Sequence, residues 1–200
     1  MKGISQKAFF FDRDGTLTTA VYRYDPEHKQ YVDGAALSLA ELKLEPSAVE
    51  VINYVKSIGF LPLVITNQPD FLKSNISLQV YEDITTTICQ AIDLPRSQVF
   101  ECLHKEGHSL PCQCRKPKPG LINMAVGMYG IDLGNSWLVG DSWRDIAAGH
   151  AAGIKNTIFI ERVAIPDQRE GNKKDIQKLE DMGIKPLYNI KELYELKALL

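Results

Sequence analysis

Two aspartates, Asp12 and Asp14, stand one residue apart where an apolar run, Phe9-Phe10-Phe11, gives way to Gly15-Thr16. An apolar run bounded by a Gly-containing turn reads as a buried strand. Acids at i and i+2 project the same way if the strand continues, so burying both unpaired is costly. A hard cation such as Mg2+ suits their oxygens. The plain alternative is a strand-ending Asx turn, in which either acid only caps backbone N–H groups. Two further polar groups end apolar runs in the same way, Thr66-Asn67-Gln68 and Gly140-Asp141. Lys116 sits in Arg115-Lys116-Pro117-Lys118-Pro119-Gly120, where flanking prolines restrict its loop.

The elements that must position these groups follow from periodicity. Strands are expected at Phe9–Phe11, Phe60–Ile65, Gln98–Leu103, Ser136–Val139 and Asn156–Ile160. Between them, Pro46-Ser47 opens a helix with Val49, Ile52, Val55 and Lys56 at 3.6 spacing, and Gly59 marks its end. Ser77 caps a helix to about Ile92, with Val80, Ile84, Ile88 and Ala91 on one face. Pro119-Gly120 starts another, with Leu121, Met124, Ala125 and Met128 inward and Gly130 after it. Ser142 to about Ala152 is helical, and the charged tail after Arg162 carries two weaker helical stretches, Lys173–Met182 and Ile190–Leu199. This alternation argues an α/β fold, a Rossmann-like parallel sheet with helices on both faces. Right-handed crossovers bring the three polar strand ends to one edge of the sheet, where open α/β folds place their ligands. The stretch Thr18–Glu45, with Tyr22, Tyr24 and Tyr31, has no long period and reads as a loop or small insertion beside that edge.

Such a set suits phosphoryl transfer. Asp12 would attack phosphorus, and Asp14 would protonate the leaving oxygen and later activate water. Thr66 and Asn67 would hold non-bridging oxygens, Lys116 would supply balancing positive charge, and Asp141 would complete the oxygen set of the metal. Asp145 either orients metal-bound water or bonds back to Ser142 in a capping box. Arg144 reads as a surface residue.

Cys102-Leu103-His104 and Cys112-Gln113-Cys114 bring three sulfurs and an imidazole into thirteen residues. That is a Cys3His set for a closed, structural zinc. Disulfides are the competing use, but cysteines one residue apart bond each other poorly. His108 is a spare donor in the same loop, and Cys89 reads as a small core residue.

Taken together, Phe11-Asp12-Arg13-Asp14-Gly15-Thr16, Thr66-Asn67, Lys116 and Gly140-Asp141 resemble the four motifs of the haloacid dehalogenase superfamily, over roughly residues 7 to 160. The resemblance implies a Rossmann-like core, Mg2+ held by Asp12, the backbone carbonyl of Asp14 and Asp141, Asp12 as nucleophile and Asp14 as general acid/base. The Cys/His loop before Arg115-Lys116-Pro117 is similar to that of the D-glycero-D-manno-heptose-1,7-bisphosphate and histidinol phosphatases. Those enzymes are compact and largely capless, so the resemblance implies no large cap domain and a choice of substrate made by loops. In the heptose enzymes Thr-Asn-Gln is expected to continue Ser-Gly-Ile-Ala-Arg-Gly. Here Pro69-Asp70-Phe71-Leu72-Lys73-Ser74 follows, with Lys73 where the arginine would stand. Arg115 and Lys73 would bind a second phosphate or sugar hydroxyls.

Composition bounds the remaining choices. At 44% hydrophobic and 24% charged residues the chain is ordinary for a globular protein, and 200 residues is expected to form one domain (residues 1–200), with an 18–45 insertion and a 102–114 zinc loop. A net charge of −2 and pI of about 6.1 give no electrostatic case for nucleic acid or an anionic membrane. No apolar run is long enough to span a bilayer and Met1–Lys7 lacks a signal-peptide core, so the expectation is a cytoplasmic protein; a monomer is expected without a sequence feature that fixes it. The expected function is a Mg2+-dependent phosphatase with a zinc loop, acting on a small phosphorylated sugar, which the resemblance implies is a heptose bisphosphate. Histidinol phosphate is the alternative substrate, and a zinc-stabilised binding module is the non-enzyme rival.

Overall fold

In the computed structural model, residues 6–25, 30–68, 76–104, 112–162 and 172–200 are described. The expectations for Lys73, for Pro69-Asp70 and for His108 lie outside them. Six parallel strands form the central sheet: β1 (Ala8–Phe11), β4 (Leu61–Asn67), β5 (Val99–Cys102), β6 (Trp137–Gly140), β7 (Asn156–Ile160) and β8 (Tyr188–Ile190). Their order is β5-β4-β1-β6-β7-β8, so β1 lies inside the sheet with crossovers leading away on either side. Every side chain of β1 is buried. The pleat sends Phe9 and Phe11 to one face and Ala8 and Phe10 to the other.

Helices cover both faces, as the alternation of elements requires. On the Phe9/Phe11 face lie α1 (Ala48–Ser57) and α2 (Leu78–Ala91), joined by a 3-10 turn at Leu193–Ala198. On the Phe10 face lie α3 (Gly120–Tyr129), α4 (Trp143–Ala152) and α5 (Lys173–Asp181). Ser77 caps α2 by accepting from the Val80 N–H at 3.2 Å. Gly59 and Gly130 follow their helices with φ of 85° and 64°.

Register explains why the chemistry converges. Phe11 pairs with Val64 on one side and Val139 on the other. Asp12 is therefore level with Ile65 and Gly140, and Thr66 and Asp141 come one residue later. If the pleat is carried one residue past Phe11, Asp12 falls on the Phe10 face, where the loop before α3 and the first turn of α4 supply its partners.

Several expectations need correction. Thr18–Glu45 is not without strands: β2 (Val21–Asp25) and β3 (Gln30–Gly34) form an antiparallel hairpin. The second tail stretch is not an α-helix from Ile190: that residue ends β8, beside β7, and a 3-10 helix over Leu193–Ala198 follows. On α1 the buried residues are Ala48, Val51, Ile52 and Val55, while Val49 is exposed. On α2, Ala91 is exposed and Tyr81, Thr85 and Cys89 are buried beside Ile84 and Ile88. On α3, Met124 and Met128 face solvent and Ile122 is buried with Leu121 and Ala125. The helix misses are ones of phase, and on α3 flexible methionines at helical spacing mimic a core stripe that the neighbouring Leu-Ile-x-x-Ala set fills better.

That phase has a direct test in urea denaturation. Ile122→Ala is expected to cost about 2–5 kcal/mol, and Met124→Gln less than about 0.5 kcal/mol. The reverse ranking would contradict the packing of α3.

Candidate functional site

The carboxyl edge of the sheet opens into a cleft of about 620 Å³ whose lining includes Asp12, Asp14, Thr66, Asn67, Lys116 and Asp141. At its floor the Lys116 ammonium is 4% exposed and donates to Asp12 Oδ1 at 2.5 Å, to the Ile65 carbonyl at 2.9 Å, and pairs with Asp145 Oδ1 at 2.6 Å. Carboxylate oxygens of Asp12, Asp141 and Asp145 lie within 4.8 Å of one another, and all three residues are buried. Hard, negatively charged oxygens this close together fit a divalent cation of the Mg2+ kind. Of the two readings of Asp145 the capping box is present, its Oδ2 accepting from the Ser142 N–H at 3.0 Å, while its Oδ1 meets Lys116.

The side chain of Asp14 turns another way. Its Oδ2 accepts from Arg13 Nε at 3.0 Å and from Gln68 Nε2 at 2.5 Å, and its Oδ1 accepts from the Thr18 hydroxyl at 3.1 Å. Arg13 is itself 2% exposed and lies over the Tyr81 ring. Asn67 grips the lysine loop: its Nδ2 donates to the Lys116 carbonyl and its Oδ1 accepts from the Lys116 N–H, both at 3.0 Å. The Thr66 hydroxyl accepts from Gln68 Nε2 at 2.7 Å. Gln68 and Arg13 escaped the sequence reading because neither is a chemical group in its own right; each matters only through the acid it holds. Among the three tyrosines of the hairpin region, Tyr22 meets Arg162 at the cleft edge and Tyr24 is exposed.

The Cys/His cluster braces the other side of the lysine loop. Cys102 Sγ lies 3.6 Å from both His104 Nδ1 and Cys112 Sγ, and His104 Nδ1 lies 3.2 Å from Cys114 Sγ. All four cysteines are free of disulfides. A tetrahedron with metal–sulfur bonds of about 2.3 Å has edges of about 3.7 Å, so the donor set fits a single zinc. Burial and the neighbouring Cys102 and Cys112 push the Cys114 thiol up to about 12, a cost that a bound cation would offset. Lys118 Nζ donates to the Cys112 carbonyl at 2.6 Å, and Arg115 donates to the His104 carbonyl. Gly120 lets α3 start against this loop, since a Cβ there would come within 2.2 Å of the Gln113 carbonyl oxygen.

Comparison with known proteins decides the family. A model of HAD-hydrolase-like proteins matches residues 113–162. The D-glycero-beta-D-manno-heptose-1,7-bisphosphate 7-phosphatase of Pasteurella multocida is 30% identical over 191 residues, 90% of this chain and 95% of that one. The chain belongs to the haloacid dehalogenase superfamily of phosphatases, in the family of this relative. The like-named enzyme of Escherichia coli K12 is 27% identical, covering 78% of this chain and 80% of its own. The fold is that of a D,D-heptose 1,7-bisphosphate phosphatase from B. bronchiseptica, crystallised with magnesium and phosphate, with a TM-score of 0.73 at 20% identity over 97% of both chains. Among the described residues, no helix is long and apolar enough to cross a membrane.

In this haloacid dehalogenase phosphatase the buried charges work against one another. Burial pushes the Asp12 carboxyl up to about 7, against the pull of Lys116 and with the push of Asp145 and Asp14. Burial alone would depress the Lys116 ammonium, but Asp12 and Asp145 outweigh it and raise it. An unfolded aspartate titrates near 3.9, so between about pH 4 and 7 the native state holds the extra proton and loses stability as pH rises. Asp12→Asn is therefore expected to raise the melting temperature of chelator-treated protein at pH 8, with the gain fading towards pH 4. A variant that melts below the parent at pH 8 would contradict this electrostatic balance.

Proposed function

We propose that this phosphatase hydrolyses a small sugar phosphate through an aspartyl-phosphate on Asp12, with D-glycero-D-manno-heptose 1,7-bisphosphate as the substrate. The observation that carries the chemistry is the Lys116 ammonium held between Asp12 and Asp145 at the floor of the cleft. The relatives' names support the substrate.

In this reading an Asp12 oxygen attacks phosphorus, and the bond from phosphorus to the sugar oxygen breaks. Asp14 gives its proton to that leaving oxygen. Asp14 then takes a proton from water as the water oxygen attacks the aspartyl-phosphate, which releases inorganic phosphate and regenerates Asp12. Lys116 neutralises charge on the phosphoryl oxygens, and the Thr66 hydroxyl is a further donor for them. Asn67 is engaged by the backbone of Lys116, which favours a part in setting the lysine rather than binding phosphate. Asp12 and Asp141 with the backbone carbonyl of Asp14 would hold Mg2+, which would supply charge neutralisation for the transferred group. Asp145 would support that set. Cys102, His104, Cys112 and Cys114 would hold zinc, with a structural part only. Arg115 and Lys73 would meet the second phosphate or sugar hydroxyls. The reading is of one domain, cytoplasmic and monomeric, with the hairpin of residues 18–45 on the substrate side.

Asp12→Asn is expected to abolish phosphate release while leaving the circular dichroism spectrum unchanged, and surviving activity would remove Asp12 as nucleophile. The kcat/KM for heptose bisphosphate is expected to exceed that for histidinol phosphate by at least about 10-fold, a difference of about 1.4 kcal/mol in transition-state binding. Equal values would sink the substrate claim and leave the reaction class standing. Elemental analysis of freshly purified, unchelated protein is expected to give about one zinc per chain, and its absence would refute the metal reading of the Cys/His loop. Stripping that zinc is expected to lower the melting temperature before it alters kcat.

A further inference from the structure

Arg162 stands two residues beyond the end of β7, at the same carboxyl edge as Asp12, Thr66 and Asp141. Its guanidinium pairs with Asp141 Oδ2 through Nη2 and donates from Nη1 to the Tyr22 hydroxyl at 3.2 Å. The Asp141 side chain is 3% exposed and that of Arg162 21%, so most of the pair is screened from water. The contact is built into the fold at several points. Asn172 is buried, and its Nδ2 donates to the Asp141 carbonyl and the Ile160 carbonyl, both at 2.7 Å. Its Oδ1 accepts from the Arg162 N–H at 2.9 Å. One side-chain amide thus ties together the backbones of both partners. Gly15 has φ of 92°, and a Cβ there would come 2.1 Å from Asp141 Oδ2 and 3.1 Å from Arg162 Cζ. Carboxylate and guanidinium lie directly against the loop that follows Asp14.

We propose that Arg162 is a positioning residue that holds the Asp141 carboxylate in competition with the divalent cation, and so sets the metal affinity of the site. The inference rests on the reading of Asp141 as a metal ligand. A cation approaching the Asp12–Asp141–Asp145 cluster meets a carboxylate already neutralised by a guanidinium. It must either displace that group from the shared oxygen or bind the other oxygen beside a fixed positive charge. Both routes oppose loading, because two cations on one buried carboxylate repel in a medium that screens them poorly. The arginine in turn keeps Asp141 compensated whenever the cation leaves, which avoids an unpaired buried charge. Linkage makes the antagonism reciprocal: what the cation gains at Asp141 the guanidinium loses.

The test is calorimetric titration of Mg2+ and Mn2+ into chelator-stripped, zinc-retaining protein. Arg162→Gln is expected to bind either ion about 10-fold more tightly than the parent, within the usual range of intersite coupling. Arg162→Lys, which keeps the charge, is expected to fall between them and covers the case in which the glutamine variant does not fold without metal. The melting temperature on adding Mg2+ is expected to rise more in Arg162→Gln than in the parent. Unchanged or weaker ion binding in a folded Arg162 variant would overturn the proposal, since a residue that merely props Asp141 would loosen the metal when removed. Asp141→Asn separates the two readings. If it binds the ions as well as the parent, Asp141 is not a ligand and both fail; if it loses them while Arg162→Gln is unchanged, only the arginine proposal fails.

Discussion

The structure turns on one ammonium group. Lys116 lies in the floor of the cleft with carboxylates on two sides, Asp12 at 2.5 Å and Asp145 at 2.6 Å. A lysine this buried is tolerable only because its partners are fixed in place, and the partners are tolerable only because of the lysine. Removing the ammonium would leave two buried carboxylates without a counter-charge, and an uncompensated buried charge typically costs about 3–5 kcal/mol. Much of the surrounding architecture serves to hold that ammonium where it is. Asn67 clamps the lysine backbone from the end of β4, Ile65 offers its carbonyl, and Arg115 and Lys118 fasten the loop to the Cys/His cluster.

This arrangement separates two kinds of work. The groups suited to phosphoryl chemistry sit at the ends of β1, β4 and β6, which are central strands packed on both faces. Substrate selection in the proposed function falls to the elements around the rim: the hairpin, where its last residue Gly34 and the flanking Ala20 and Ala35 line the cleft, and Arg115 on the lysine loop. The Arg162–Tyr22 contact is where the rim touches the centre. Arg162 reaches across 140 residues of chain to Tyr22 of the hairpin and pairs with the acid at the end of β6.

How much of this was legible in the sequence follows from how far each signal reaches. The three polar strand ends were legible because each is an abrupt change from apolar to polar within one residue. Parallel crossovers then leave little choice about where they meet. Lys116 stood out through its prolines, and the Cys/His set through ligand chemistry and spacing. The hairpin was not legible, since Tyr22-Arg23-Tyr24 offers too short an alternation to outweigh the polar residues around it. β8 was missed because three residues, Tyr188–Ile190, become a strand only by pairing with a β7 already in place. Gln68 was visible only as part of a polar strand end, and no local pattern assigns a part to Gln68, Arg162 or Asn172. Their parts depend on side chains that meet only after the sheet is assembled, although Arg162 did share one visible trait with the others, a place just past the end of a strand.

The most direct test of the central claim is chemical capture of the phosphoryl group during turnover. Acid quenching with saturating substrate, followed by borohydride reduction and mass spectrometry, would convert a phosphorylated Asp12 into homoserine. The expected result is homoserine at position 12 and at no other acidic residue, with none in protein quenched without substrate. Undiminished phosphate release with an unmodified Asp12, or reduction confined to another carboxylate, would contradict the account.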